Sequence, residues 1–147
     1  MGILTAFDIS ASGMTAQRLR TDIISQNIAN VNTTNTGDGS PYVRKTVVFQ
    51  EKGERFGEIL AAKTGALGTI GTGVRVTAIV EDKDTDFVMK YEPNHPDADE
   101  NGYVTYPNVN IVEEMTNLID ASRSYEANVT AFDASKAMAM KGLEIGQ

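Results

Sequence analysis

The sequence has no cysteine and no tryptophan, a single histidine, and only 4 prolines in 147 residues. Without cysteine there is no disulfide, no thiolate nucleophile and no cysteine-held metal, and the fold is indifferent to the redox state of its surroundings. Basic residues are also scarce: 13 Lys and Arg stand against 20 Asp and Glu, a formal net charge of −7. That balance argues against partners such as nucleic acid or an anionic membrane surface. No apolar run approaches the roughly 20 residues that a membrane span requires. The start, Met1 to Asp8, has neither a basic leader nor an apolar stretch of signal-peptide length, and Ala6 stands where a myristoylation motif wants Ser or Thr. The sequence therefore predicts that any export uses another route, without a cleaved signal.

What is present divides by period. From Ile111 the steps alternate between four and three residues through Met115, Leu118, Ser122, Tyr125, Val129, Phe132, Lys136, Ala139 and Leu143, all apolar except Ser122 and Lys136. This is the seam of a coiled coil. Asn110 and Glu113 can form a capping pair, Glu114 suits the positive end of the helix dipole, and Lys136 and Lys141 suit the other end. With Gly142 as the stop, the helix is expected to run about 32 residues, roughly 48 Å. Such a helix needs a long partner. The N-terminal stretch offers one: Leu4, Phe7, Ala11 and Met14 follow heptad steps, and after a change of phase Ala16, Leu19 and Ile23 do the same, with Ile28 and Val31 continuing the apolar content. A lone amphipathic helix of this kind more often packs on a globular core. Two of them bracketing the chain favour each other.

Between them the polar run Asn32 to Pro41 ends any upstream helix. Strand signals follow: Tyr42 to Phe49 is β-branched and aromatic, Val74, Val76, Ala78 and Val80 alternate with other side chains, and so do Phe87, Met89 and Tyr91. Gly65, Gly68, Gly71 and Gly73, with interspersed Thr, read as a turn-rich spacer. The predicted architecture is α+β, with long N- and C-terminal helices paired as a coiled coil (1–36 and 108–147) and a small, mostly antiparallel β module inserted between them (37–107, with a flexible glycine-rich segment at 64–73).

Sites for chemistry are hard to assemble. Gly68 and Gly73 have the gap of a phosphate loop, but Val74 and Arg75 occupy the positions of its Lys and Ser or Thr. The stretch Asp97-Ala98-Asp99-Glu100-Asn101-Gly102 reproduces the start of a calcium loop, yet Asn108 stands where a bidentate Glu is needed, and Pro93, Pro96 and Pro107 interrupt the flanks. A calcium-dependent binding module on the Asp97–Asn108 loop is the alternative reading, and an Asx-rich turn accounts for the same residues. His95 has no second His or Cys to share a metal, and Glu113 and Glu114 diverge by about 100° on a helix. No catalytic residue, cofactor site or metal site is expected, and the chain does not read as an enzyme.

One motif is more specific. The stretch Ser25-Gln26-Asn27-Ile28-Ala29-Asn30-Val31-Asn32-Thr33 resembles the N-terminal signature of the axial proteins of the bacterial flagellum, the rod, hook and hook-associated proteins. Pro41-Tyr42-Val43-Arg44-Lys45, Tyr91 to Asp99, Gly102-Tyr103-Val104, Pro107 to Asn110, Val112 to Met115 and Ser122 to Asn128 extend the resemblance to the basal-body rod proteins, in particular to a proximal rod subunit. Glu92 and Asn94 depart from the expected Asp and Gly, and Asp86-Phe87 lacks an expected proline. The resemblance marks Asn27, Ala29, Asn30, Asn32 and Thr33 as family motif. It implies a structural subunit that leaves the cytoplasm through the flagellar type III export apparatus and polymerises helically into the torque-transmitting rod across the periplasm. The implied partners are further copies, the other proximal and distal rod subunits, and the protein at the rod–MS-ring junction. Terminal helices completed by neighbouring subunits would be poorly ordered in the free chain.

Overall fold

The computed structural model describes residues 3–52 and 73–145. Helix α1 (Ile3–Ala29) is followed by strands β1 (Lys45–Glu51), β2 (Val74–Glu81), β3 (Val88–Tyr91) and β4 (Tyr103–Tyr106), and then by helix α2 (Ile111–Ile145). The strands form two separate two-stranded sheets, β1 with β2 and β3 with β4. The α+β class expected from the periodicity is thus observed. The glycine-rich segment 64–73 lies outside the described residues except for Gly73.

α2 has 35 residues, about 52 Å at 1.5 Å per residue. It starts where the capping argument places it: Asn110 Oδ1 accepts from Val112 N at 3.1 Å. Glu113 turns instead to Arg44, 3.1 Å from its Nη2. At the far end Gly142 does not stop the helix, which continues to Ile145. Nothing lies near the place its Cβ would occupy, so no tertiary contact forces a break there, and a single helical glycine costs only about 1 kcal/mol.

The chain forms two compact units, each taking part of both helices and of the β1–β2 ladder. The first comprises Met1–Arg18, Val48–Ala78 and Ser122–Gln147. Its helix segments run antiparallel: Phe7 stacks on Phe132 with ring centroids 4.9 Å apart, and Gly13 faces Asn128. Small side chains line this contact, with Ser10, Gly13 and Ala16 buried on α1 and Ser135 on α2. Ser12 ties the sheet to α1 by accepting from Val74 N at 3.1 Å and donating to Ile9 O at 2.7 Å. Lys52 N donates to Gly73 O, a residue with φ of +106° that favours glycine.

The second unit comprises Leu19–Val47 and Ile79–Ala121. It holds most of the apolar core: Ile23, Ile24, Tyr42, Val104, Val109 and Ala121. Here too the helix segments run antiparallel, with Arg20 bonded to Asn117 and Asn27 to Glu114. β3 and β4 form a hairpin pairing Val88 with Tyr106 and Tyr91 with Tyr103. Tyr91 and Tyr103 meet edge to face at 5.3 Å. Gly102 closes the connecting loop at φ of +79°, and a Cβ there would come within 2.9 Å of the Tyr91 ring. β4 is the one strand that the alternation pattern did not single out, although Tyr103-Val104-Thr105-Tyr106 consists entirely of strand formers.

Candidate functional site

The most developed polar construction is in the second unit, around Asn27. Asn27 is 1% exposed inside a helix, where an amide side chain has to find partners. It uses all four of its hydrogen-bonding positions. Its Oδ1 accepts from Tyr42 Oη at 2.9 Å and from Lys45 N at 3.0 Å, while its Nδ2 donates to Lys45 O at 2.8 Å and to Glu114 Oε2 at 2.9 Å. One side chain on α1 thereby captures the start of β1 and the first turn of α2.

Glu114, also 1% exposed, is the second node. Its Oε1 receives Arg44 Nε at 2.8 Å and lies 2.7 Å from Arg44 Nη2. Arg44 reaches Glu113 as well, and Asp82 more loosely at 3.5 Å. Burial works against the charge on Arg44, but the bond and charge of Glu114, aided by Glu113 and Asp82, outweigh it and hold the guanidinium above its usual range. Burial, with Glu114 and Glu81 adding repulsion, pushes the Tyr42 phenol up. Asp82 is held below the ordinary carboxylate range by the Thr85 hydroxyl and amide, helped by the Asp84 amide and Arg44. Asn108 closes the network: its Oδ1 accepts from Arg44 N, and its Nδ2 donates to Asp82 O and Thr85 O. Every group in this network is a positioning group.

The motif residues after Asn27 make the turn out of α1. Asn30 Nδ2 donates to Gln26 O, its Oδ1 accepts from Thr33 Oγ1, and Thr33 O accepts from Tyr42 N. Ala29 and Asn32 are exposed. Sequence reasoning took Glu114 as helix-end charge and Asn108 as a failed calcium ligand, and missed Arg44, Tyr42 and Asp82. The available signal was a wholly polar Asn in the interior of α1 with a Tyr-x-Arg soon after it.

The calcium reading finds no support. Asp97 is engaged by Thr34 Oγ1 at 2.6 Å and by Asn35 Nδ2. These bonds, with His95 adding charge, hold it below the ordinary carboxylate range. Asp99 accepts from Asn101 N in its own turn. Among the described residues no three acidic or imidazole side chains converge as a metal would need. His95 Nδ1 accepts from Asp97 N.

The second feature is an apolar surface on α2. Of the seam positions, Ile111, Met115, Ser122, Tyr125 and Leu143 are exposed on α2, while Leu118, Val129, Phe132 and Ala139 are half-buried; on α1, Leu4 and Ala11 are exposed, Phe7, Met14 and Leu19 half-buried, and Ile23 buried. Polar and small residues of the same stretch of α2 are also turned inward, namely Glu114, Asn117, Ala121, Ser124, Asn128 and Ser135. That line keeps the three-and-four spacing but runs one residue earlier through most of its length, about 100° around the helix. The face that meets α1 is therefore mixed, polar or small at Glu114, Asn117, Ala121, Ser124, Asn128 and Ser135 and apolar where Phe132 stacks on Phe7, while an apolar stripe including Val112 (73% exposed) and Ile119 (55%) is left open.

Comparison with known proteins agrees along the whole length. A family model described as flagella basal body rod protein matches residues 7–35, and one described as flagellar basal body rod FlgEFG protein C-terminal matches residues 100–145. The chain is 49% identical to the flagellar basal-body rod protein FlgC of Bacillus subtilis, over 98% of this chain and 100% of that one. It is 44% identical to FlgC of Borreliella burgdorferi over 100% and 99%. With FlgC of Escherichia coli O157:H7 the identity is 42% over the full length of both. These matches take in both helices, the Asn27 clamp and the β segments between them, and the chain belongs to the family of flagellar basal-body rod proteins FlgC.

Proposed function

We propose that this chain, a structural subunit of the flagellar basal-body rod and not an enzyme, polymerises helically into the proximal rod that crosses the periplasm and transmits torque. Full-length identity to FlgC rod proteins carries this reading. The exposed stripe of α2 is the physical feature that suits it. Contiguous apolar surface is unfavourable on a monomer, and a repeating heterologous contact is what builds an open helical filament.

In this reading the terminal regions, 1–36 and 108–147, make an inner helical domain in which neighbouring subunits complete coiled-coil packing over Ile111, Met115, Ser122, Tyr125 and Leu143. Residues 37–107 make an outer module. The intramolecular face of α2 mixes small and polar side chains with a few apolar ones such as Phe132, so the free chain has only a modest apolar area holding its helices together, and helical order grows as subunits join. Subunits leave the cytoplasm by the type III export apparatus and meet the other proximal rod proteins, the distal rod and the rod–MS-ring junction protein. No helix among the described residues is long and apolar enough to cross a membrane.

The test is sedimentation of the purified chain over a concentration series, alone and with the other proximal rod proteins, followed by electron microscopy. Mixed rod-like assemblies are the expected result. A stable compact monomer that ignores those partners would overturn the proposal.

A further inference from the structure

We propose that Asp38–Gly39 is a site of spontaneous covalent modification, at which the backbone rearranges to isoaspartate through a succinimide, and that the fold protects the intrinsically more reactive Asn101–Gly102 pair from the same chemistry. The sequence contains both dipeptides. In an unstructured peptide Asn–Gly closes to succinimide faster than Asp–Gly, because ammonia leaves an amide more readily than water leaves a carboxyl group. The structure reverses that order.

Asp38 and Gly39 lie at the tip of an exposed loop clamped at its base. Thr36 donates to Ser40 O through both its amide and its hydroxyl, at 3.0 Å each, and Gly37 N donates to Asn35 Oδ1. Within that clamp Gly39 has φ of +76°, and the space around its Cβ position is open. Among the described residues Gly39 N donates to no acceptor and the Asp38 carboxyl has no partner. The attacking nitrogen and the group it attacks are both free to approach.

At the other pair the nitrogen is occupied. Gly102 N donates to Asp99 O at 2.8 Å, and its carbonyl accepts from Glu92 N at 2.9 Å. Asn101 N is held by Asp99 Oδ1. The Tyr91 ring and Pro93 crowd Gly102. Swinging Gly102 N onto the Asn101 side chain would break the hairpin loop on both sides.

The step balances without an added reagent. The Gly39 nitrogen loses its proton and bonds to the Asp38 side-chain carboxyl carbon, whose hydroxyl leaves as water, closing a five-membered imide. Water then adds at one of the two imide carbonyls. Opening at the side-chain carbonyl restores Asp, and opening at the main-chain carbonyl leaves isoaspartate, with one extra methylene in the backbone between the loop's two clamped ends.

The experiment incubates the full chain in oxygen-18 water at neutral pH, folded and in parallel in concentrated urea, followed by peptide mapping with fragmentation that separates aspartate from isoaspartate. In the folded protein, isoaspartate and heavy-oxygen uptake at Asp38 should exceed deamidation at Asn101 several-fold, and urea should invert the ratio. Asp38→Glu, which would need a larger and slower-forming ring, should abolish the modified peptide and leave Asn101 unchanged. Faster deamidation at Asn101 than isomerisation at Asp38 in the folded chain would overturn the proposal. So would an Asp38 peptide that takes up no heavy oxygen, or the same ratio in folded and urea-unfolded protein.

Discussion

Asn27 shows how much one side chain can organise when every lone pair and proton it carries is used. Replacing it with Ala leaves Tyr42 Oη, the Lys45 backbone and one oxygen of Glu114 short of partners in a buried space, and unpaired buried polar groups cost about 1–3 kcal/mol each. Asn27→Ala is expected to lower stability by about 3 kcal/mol, read as a shifted midpoint in urea unfolding followed by circular dichroism. Ala29→Ser, two positions on and exposed, should stay within about 0.5 kcal/mol. The ionisable neighbours set the pH response. The Tyr42 phenol is raised when folded, so the unfolded chain loses that proton first, and the contribution of Tyr42 falls away as pH rises above about 10. Asp82 is depressed when folded, so its contribution is present above the ordinary carboxylate range and is lost as pH falls through its lowered value. Tyr42→Phe should remove a late-titrating tyrosine from the absorbance titration, and Asp82→Asn should flatten the acid limb of the stability profile. An acid limb unchanged in Asp82→Asn would show that this Asx turn does not govern it.

At the scale of elements, α1 and α2 contain two helical glycines in opposite surroundings. Gly142 faces open space, so Gly142→Ala should stabilise the chain through helix propensity alone, by up to about 1 kcal/mol, read as a higher melting temperature. Gly13 meets Asn128, and a new Cβ would sit 2.6 Å from Asn128 Oδ1 while the same amide donates to Ser124 O. Gly13→Ala should therefore lose that propensity gain to displacement of Asn128, and Gly13→Leu should lower the melting temperature outright. Equal stabilisation by alanine at both positions would mean that the helices do not pack closely at Gly13. The same contact explains what the sequence could and could not say. The existence of both helices, the start of α2 with its Asn110 cap, and the strands near Lys45, Val74 and Val88 follow from period and local chemistry, whereas the expected stop at Gly142 does not, since a lone glycine with open space around it does not end the helix. β4 was readable from its composition but lacks the alternation that marked the others. The inward face of α2 was not legible, because periodicity locates an apolar stripe without naming what it meets. A heptad line through Ile111, Met115 and Tyr125 looks the same whether its partner is α1 or another molecule, and Glu114 looks like helix-end charge until Arg44 and Asn27 are beside it.

For the molecule as a whole, the two faces of α2 have to be disrupted independently to learn what each does. The inward line through Glu114 and Ala121 holds the chain's own fold, and its loss should show as lost helix. The outward stripe through Met115 and Ile119, both more than half exposed, has no such duty in the isolated chain. Replacing those two residues together by Lys removes apolar surface worth about 1.5–3 kcal/mol per side chain on full burial and places charge where a neighbour would pack. The double variant should keep the circular dichroism and melting behaviour of the parent chain at low concentration. In sedimentation it should fail to enter assemblies with the other proximal rod proteins. Ser122 lies on that stripe as its polar interruption, and Ser122→Leu should act in the opposite sense, raising self-association while weakening discrimination among partners, since a polar seam position specifies register at the expense of affinity. If Met115→Lys with Ile119→Lys assembled as readily as the parent chain, the stripe would not be the assembly surface. If Ser122→Leu changed neither self-association nor partner choice, the serine would have no part in setting register.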